Sequence, residues 1–167
     1  MEKKITIAVD AMGGDDSPRK VLEGINIHYY KSKQIFYKIF GDENNLKKSF
    51  KLKIPTDCYE IIHTSEQVEG TDSPLSAAKK GKNTSMWSAV NSVKEKDSDI
   101  IISAGNTGAL FVISKLNLKM IENIDKPALS GLWPNMKGIN VVLDLGANIE
   151  CNEKNLIDFS LMGASLF

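Results

Sequence analysis

Asp99-Ile100-Ile101-Ile102-Ser103-Ala104-Gly105-Asn106-Thr107-Gly108 is the stretch whose reading decides the fold. Three consecutive isoleucines behind an aspartate read as a short buried strand, because a run that is apolar on both sides of the pleat suits a sheet covered on both faces. The residues that follow are small or hydrogen-bonding, with glycines at 105 and 108, and they open a largely apolar helical stretch from Thr107 to about Met120. A strand that passes through a glycine turn straight into a helix is the repeating unit of a parallel α/β sheet.

The same alternation extends outward in both directions. Residues 4–10, 34–40 and 59–63 read as strands on the N-terminal side, and 128–132 and 139–145 on the C-terminal side. Between them, Ser17-Pro18 reads as a helix start with Ser17 as N-cap, followed by an apolar stripe at Val21, Leu22, Ile25 and His28 or Tyr29. A short lysine-rich helix follows Gly41-Asp42, helices are predicted over 74–81 and 84–96, and a final one over 154–167. The chain is therefore predicted to be a single α/β domain spanning 1–167 with a mostly parallel sheet.

Composition narrows the function classes. Lys and Arg number 21 and Asp and Glu 21, a formal charge of zero, which argues against holding nucleic acid by bulk charge. The apolar share of 42% and charged share of 25% are those of an ordinary globular domain. The cysteines Cys58 and Cys151 form no C-x-x-C pair and fit a reducing cytoplasm, with Cys151 expected to be a buried small residue. The apolar run Ile5 to Val9 is too short for a signal peptide, and no stretch reaches membrane-span length. Two isolated histidines and two isolated cysteines give no zinc-ligand spacing, so neither a metal nor a cofactor is expected.

Three strand ends carry glycine together with polar residues: Asp10-Ala11-Met12-Gly13-Gly14-Asp15, Ser103 to Gly108, and Asp144-Leu145-Gly146-Ala147-Asn148. In a parallel sheet all three lie at the carboxyl edge, where ligands bind. Glycine lets backbone amides approach a ligand, and the helix N-terminus beyond it seats an anion. Each such turn also has a plain packing explanation. Neither G-x-G-x-x-G nor the P-loop pattern occurs, which removes dinucleotide and Walker-type sites.

Five blocks of the chain resemble one family in sequence order. Ile7-Ala8-Val9-Asp10-Ala11-Met12-Gly13-Gly14-Asp15 with Pro18, Ser103 to Ala109, Asp125-Lys126-Pro127-Ala128-Leu129, Leu143 to Asn148, and Phe159 with Leu161-Met162-Gly163-Ala164 resemble the bacterial phosphate acyltransferase of phospholipid synthesis. Departures occur at Asp16, at Gly81 within Lys79-Lys80-Gly81-Lys82, and at Leu132-Trp133-Pro134. The resemblance implies a three-layer α/β/α sandwich similar to phosphotransacetylases, acting as a homodimer. It implies transfer of a fatty acyl group from acyl carrier protein to inorganic phosphate, with a membrane glycerol-phosphate acyltransferase consuming the acyl phosphate. It also implies a longer protein, of which this chain, stopping in the apolar run 161–167, is the N-terminal half; a remnant without activity that binds phospho-ligands is the alternative.

Such chemistry needs no side-chain nucleophile, since phosphate is itself an anionic oxygen nucleophile. The protein must position it, which contributes several kcal/mol, and stabilise an oxyanion, at about 2.7–4 kcal/mol per donor. Ser103, Asn106 and Thr107, with Gly105 and Gly108, are expected to seat the phosphate beside Gly13, Gly14, Asp15 and Lys82. Asn106 and Asn148 are the expected catalytic amides, Asn148 as a carbonyl polariser, with Asp10 and Asp144 orienting their neighbours. Lys79, Lys80 and Lys82 are candidates for meeting an acidic carrier protein or the phosphate, with a solvated helix face as the equal alternative; Lys47, Lys48, Lys51 and Lys53 read as plain surface. His28 and His63 read as structural, and neither has the aspartate five residues on that glycerol-phosphate acyltransferases carry.

Overall fold

A computed structural model describes residues 4–49 and 51–166; Met1 to Lys3, Phe50 and Phe167 lie outside it, so the last residue of the expected final helix does too. The chain forms two compact units, residues 1–118 and 119–167.

In the first unit, β1 (Ile5–Asp10) lies between β2 (Ile35–Gly41) and β4 (Ile100–Ser103), with β3 (Tyr59–His63) beyond β2. All pairings are parallel, with Val9 opposite Ile39 on one side and Ile102 on the other. Strand alternation sends successive β1 residues to opposite faces. Ile7 and Val9 pack with Ile35, Tyr37 and Ile39 of β2 against Leu22 and Ile25 of α1 (Arg19–Lys31). Leu46 of α2 (Glu43–Ser49) closes that layer. Ala8 and Phe40 face the other way, against Ala89 of α4 (Ser85–Lys94). Behind α4, Met86 and Val90 meet Ala77 of α3 (Pro74–Lys80) and Ala109 and Ile113 of α5 (Thr107–Asn117). Helices thus cover both faces, giving the expected three-layer α/β/α arrangement around a parallel sheet.

Local chemistry explains the helix starts. Ser73 caps α3 by accepting from Ser76 N at 3.2 Å with Pro74 at the first turn, and Thr84 caps α4 by accepting from Trp87 N at 3.3 Å. The expected Ser17 cap is corrected: Pro18 occupies the cap position of α1 without a side-chain bond, while Ser17 Oγ donates to Gly13 O at 2.5 Å. Ser17 is drawn back into the turn after β1 instead of forward into the helix.

The expectation that residues 99–103 form a buried strand is also corrected. β4 is an edge strand, and Ile100 and Ile102 are each about half exposed. Ile101 alone of the three turns towards the helix-covered α4 face.

In the second unit, β5 (Ser130–Asn135) and β6 (Gly138–Leu143) form an antiparallel hairpin, followed by α6 (Glu153–Leu166). This overturns the expectation that 139–145 joins the parallel sheet. Only two of the three glycine-marked strand ends therefore share one carboxyl edge. Among the described residues no helix is long and apolar enough to cross a membrane.

Candidate functional site

The turns after β1 and β4 interlock through one buried carboxylate. Asp10, 1% exposed, accepts from Ser85 Oγ at 2.6 Å, Ser103 Oγ at 2.7 Å and Met12 N at 3.3 Å. Ser103 Oγ in turn accepts from Gly105 N at 3.1 Å, so its one proton and a lone pair are committed inside the protein. Asp10 orients Ser103 and does not face solvent. Gly13 is required by this interlock: its Cβ would stand 2.8 Å from Gly105 N. Gly14, at φ +95, lies against Ala104, where its Cβ would meet the carbonyl oxygen at 2.7 Å. Gly108 faces Pro74, 2.9 Å from where its Cβ would be, which lets α5 approach α3.

Asn106 is fully engaged. Its Oδ1 caps α5 by accepting from Ala109 N at 3.0 Å, and its Nδ2 donates to Gly70 O at 3.1 Å and Asp72 O at 2.9 Å. The side chain thus clamps the loop before α3 to the start of α5. Lys80 holds the same loop through Asp72 at 2.6 Å, and its ammonium keeps the Asp72 carboxyl below the usual carboxylate range. That ion pair contributes above the ordinary carboxylate pKa and is lost as pH falls through the lowered one. Lys80 is therefore a loop anchor, while Lys79 has no such bond among the described residues.

A prediction follows for the clamp. Asn106→Ala removes cap and clamp and is expected to cost about 1–2 kcal/mol. Asn106→Asp keeps the cap but sets a carboxylate against two carbonyls. Hydrogen exchange should show faster amides over residues 69–72 in both variants, with Ala109 still protected only in the aspartate variant. Unchanged loop exchange in Asn106→Asp would rule the clamp out.

Among the described residues three donors at the start of α5 find no partner: the Thr107 and Gly108 amides, which a helix leaves unpaired in its first turn, and the exposed Thr107 hydroxyl. Nearby, a polar cavity of about 460 Å³ is lined by Met12, Gly14, Asp15, Gln67 to Gly70, and Ala104 to Asn106. Asp15 is exposed at its rim; Asp16 beside it is paired with Lys20 at 2.9 Å, which lowers the Asp16 carboxyl pKa. Lys82 lines a different cavity, on the α4 face with Lys38 and Trp87. Of the expected seat, the structure brings together Gly13, Gly14, Asp15 and Ser103 to Gly108 and leaves Lys82 apart.

Asp144 and Asn148 form a local site of their own in the second unit. Asp144 Oδ1 accepts from Asn148 N at 3.2 Å and Nδ2 at 2.9 Å, and Asn148 Nδ2 also donates to Pro127 O at 2.8 Å. Both amide protons of Asn148 are thereby committed. Cys151 is exposed rather than buried, a correction: its chain segment precedes α6 on the surface, and its thiol lies 3.6 Å from Asp144 Oδ2. Desolvation and that carboxylate push the Cys151 thiol pKa up. Among the described residues no cluster of His, Cys, Asp and Glu could hold a metal ion.

With this geometry in place, comparison with known proteins is direct. A family model described as "Fatty acid synthesis protein" matches residues 5–167. The chain belongs to that family. It is 68% identical over its whole length to the "Phosphate acyltransferase" of Pelagibacter ubique, covering 50% of that protein. It is 40% identical over 98% of its length to the same-named protein of Paramagnetospirillum magneticum, covering 47% of it. A third, from Maricaulis maris, is 42% identical over 95% of this chain and 46% of its own. The chain thus spans about half the length of the curated relatives it matches.

Family membership leaves the detailed wiring to the structure. Ser85, Gly70 and Asp72 support the carboxyl-edge turns and were not among the residues expected at the site; Lys80, expected as a contact for a partner, supports them too. Ser85 carried one usable signal, since it opens a helix directly after a capping threonine. Nothing in the local sequence ties Gly70 or Asp72 to Asn106, more than thirty residues away.

Proposed function

We propose that this chain supplies the phosphate-handling part of an acyltransferase that moves a fatty acyl group from acyl carrier protein to inorganic phosphate. The acyl phosphate it yields suits a membrane glycerol-phosphate acyltransferase downstream, in a cytoplasmic homodimer. The observation that carries the reading is the α5 N-terminus. Its open Thr107 and Gly108 amides and Thr107 hydroxyl stand at the carboxyl edge, fixed by the Asp10–Ser103 and Asn106 networks.

In this reading Ser103 and Asn106 shape the seat, and the free donors that contact phosphate are those of residues 107 and 108. Aligned amides at a helix start favour an anion without needing a side-chain charge. The neighbouring cavity has the acidic Asp15, Asp16 and Glu69 at its lining and no lysine or arginine, so a cation from the rest of the family fold would complete the seat. Asn148, with both protons engaged, would act as a positioning residue for the segment around Pro127 and not as a donor to a carbonyl.

The test is phosphate-dependent release of carrier thiol from acyl carrier protein, with acyl phosphate trapped by hydroxylamine. The assay uses this chain continued after residue 167 by the second half of the Pelagibacter ubique relative. Thr107→Val is expected to raise the KM for phosphate about tenfold, the loss of one hydrogen bond to a charged group. Thiol release that ignores phosphate would overturn the reaction. Phosphate binding without any turnover would favour a binding module instead.

A further inference from the structure

Lys38 puts a charge where a parallel sheet is ordinarily apolar. β2 is an interior strand, and Lys38 shares the parity of Phe40, which places it on the face covered by α4. Interior strands of such sheets are close to uniformly apolar, yet Lys38 is half-buried there. The register sets it between Ala8 of β1 and Glu60 of β3, and it forms no ion pair with Glu60. Among the described residues neither Lys38, Lys82 nor Lys94 has a carboxylate within ion-pair distance. A half-buried ammonium without a counter-charge is costly unless an anion arrives from elsewhere.

The three lysines line one cavity of about 600 Å³ along α4, to which Phe40, Ile62 and the half-buried Trp87 give apolar and aromatic surface. None of its lining residues belongs to the carboxyl-edge cavity. The cavity differs along its length. Ser85 bonds Asp10 at the end of β1, so α4 begins at that edge, beside Trp87 and Lys82, whose carbonyl receives Ser88 Oγ at 3.1 Å. The chain leaves α4 through Glu95 and Asp97, and Asp99 N then donates to Thr6 O near the start of β1. Asn117 also lines the cavity, at the end of α5 and 7% exposed. Its Nδ2 donates to Ile113 O at 2.9 Å, while its Oδ1 receives no hydrogen bond among the described residues. Asn117 Oδ1 and the carboxylates of Glu95 and Asp97 are thus acceptors without donors, set away from Lys82.

We infer that this cavity binds a nucleoside phosphate. Lys38 and Lys82 meet the phosphate as point charges, the role lysine plays at phosphate sites. Trp87 offers a flat ring on which a base stacks. The acceptors at the far end take the hydroxyl and amino protons that a nucleoside carries and a bare phosphate lacks. The volume is that of a small-molecule site. Lysine ammonium groups hold the phosphate here instead of backbone amides, so no glycine-loop pattern is needed. Glu95 and Asp97 repel a continuous phosphate backbone, which favours a single nucleotide over a nucleic-acid strand.

The test uses the full chain carrying Trp133→Phe, which leaves Trp87 as its only tryptophan. AMP, GMP, CMP and UMP are titrated, with adenosine and inorganic phosphate for comparison. At least one nucleotide should quench Trp87 saturably, with a Kd below about 1 mM and one-to-one stoichiometry by calorimetry. It should bind at least about tenfold more tightly than adenosine or phosphate alone. Lys38→Gln and Lys82→Gln should each weaken it about tenfold, the loss of one charge-assisted bond, whereas Lys48→Gln on α2 should not. Lys38→Met keeps the test decisive if Lys38→Gln folds poorly. Methionine replaces the apolar stem and removes the unpaired charge, so its thermal midpoint should match or exceed the parent's while affinity falls equally. A Lys38→Met chain that loses stability but keeps affinity would make Lys38 structural and overturn the inference. So would the absence of saturable quenching by all four nucleotides, equal affinity for phosphate or adenosine alone, or an equal loss in Lys48→Gln. None of these readouts depends on acyl transfer, so the acyltransferase reading can fail without this one.

Discussion

Asp10→Ala should destabilise the first unit by about 3–5 kcal/mol, the scale of removing a buried charged acceptor from its donors. Asp10 is 1% exposed, and its carboxylate takes the protons of two serine hydroxyls and one backbone amide. Alanine leaves Ser85, itself 1% exposed, with no acceptor, and releases Ser103 from the position in which it receives Gly105 N. Each orphaned buried group costs about 1–3 kcal/mol. Asp10→Asn should be milder, at about 1–2 kcal/mol, because one acceptor oxygen survives and a hydroxyl can turn to accept from the amide. Since the chain has two units, unfolding in urea is best followed by Trp87 fluorescence with Trp133→Phe, which isolates the first unit. Ser103→Ala should then cost markedly less in the Asp10→Ala background than alone, because the two groups share one bond. A loss below about 1 kcal/mol for Asp10→Ala would mean that the turns are pinned by packing and not by this network.

The sequence stretch 99–108 located its strand, its turn and its helix because each rests on local chemistry: β-branched side chains, two glycines, and an asparagine able to cap. What covers a strand is not local. Three isoleucines read as buried on both sides, yet only Ile101 meets a helix layer in the first unit. The same limit misplaced β6, whose apolar run suits a parallel core strand as well as a hairpin. Its partner reads as 128–132 from the sequence and lies at 130–135, where Pro134 is tolerated opposite Ile139 in a two-stranded ribbon. Asn106 and Ser103 were correctly placed at the carboxyl edge. Their engagement with Gly70, Asp72 and Asp10 depends on residues brought in from 34 to 93 positions away, which no spacing rule exposes. The candidate site's place at the carboxyl edge was legible, and the division between donors that are spent and donors that are free was not.

That division rests on how closely the two turns meet, which Gly13→Ala probes directly. Added to the present backbone, its Cβ would lie 2.6 Å from Asp10 Oδ2, 2.8 Å from Gly105 N and 2.9 Å from Gly105 Cα. Two of these neighbours are backbone and the third is a carboxylate fixed by three donors, so none can step aside cheaply. The cost is one of space, because no left-handed φ is involved at this position, unlike Gly14. Overpacking of this kind costs about 1–3 kcal/mol and more where backbone must move, so a loss of about 3 kcal/mol is expected. Gly105→Ala is the control: its nearest obstacle is Met86 Cε at 2.9 Å, the end of a flexible side chain, and about 1 kcal/mol should suffice. Urea unfolding measured with the same Trp87 probe should rank the two variants in that order. If Gly105→Ala proves the more damaging, the β4 turn is held from the Met86 side and the interlock of the two turns is secondary. If Gly13→Ala leads, parting the turns should also shift the start of α5, and Thr107 and Gly108 amide exchange should quicken in that variant alone.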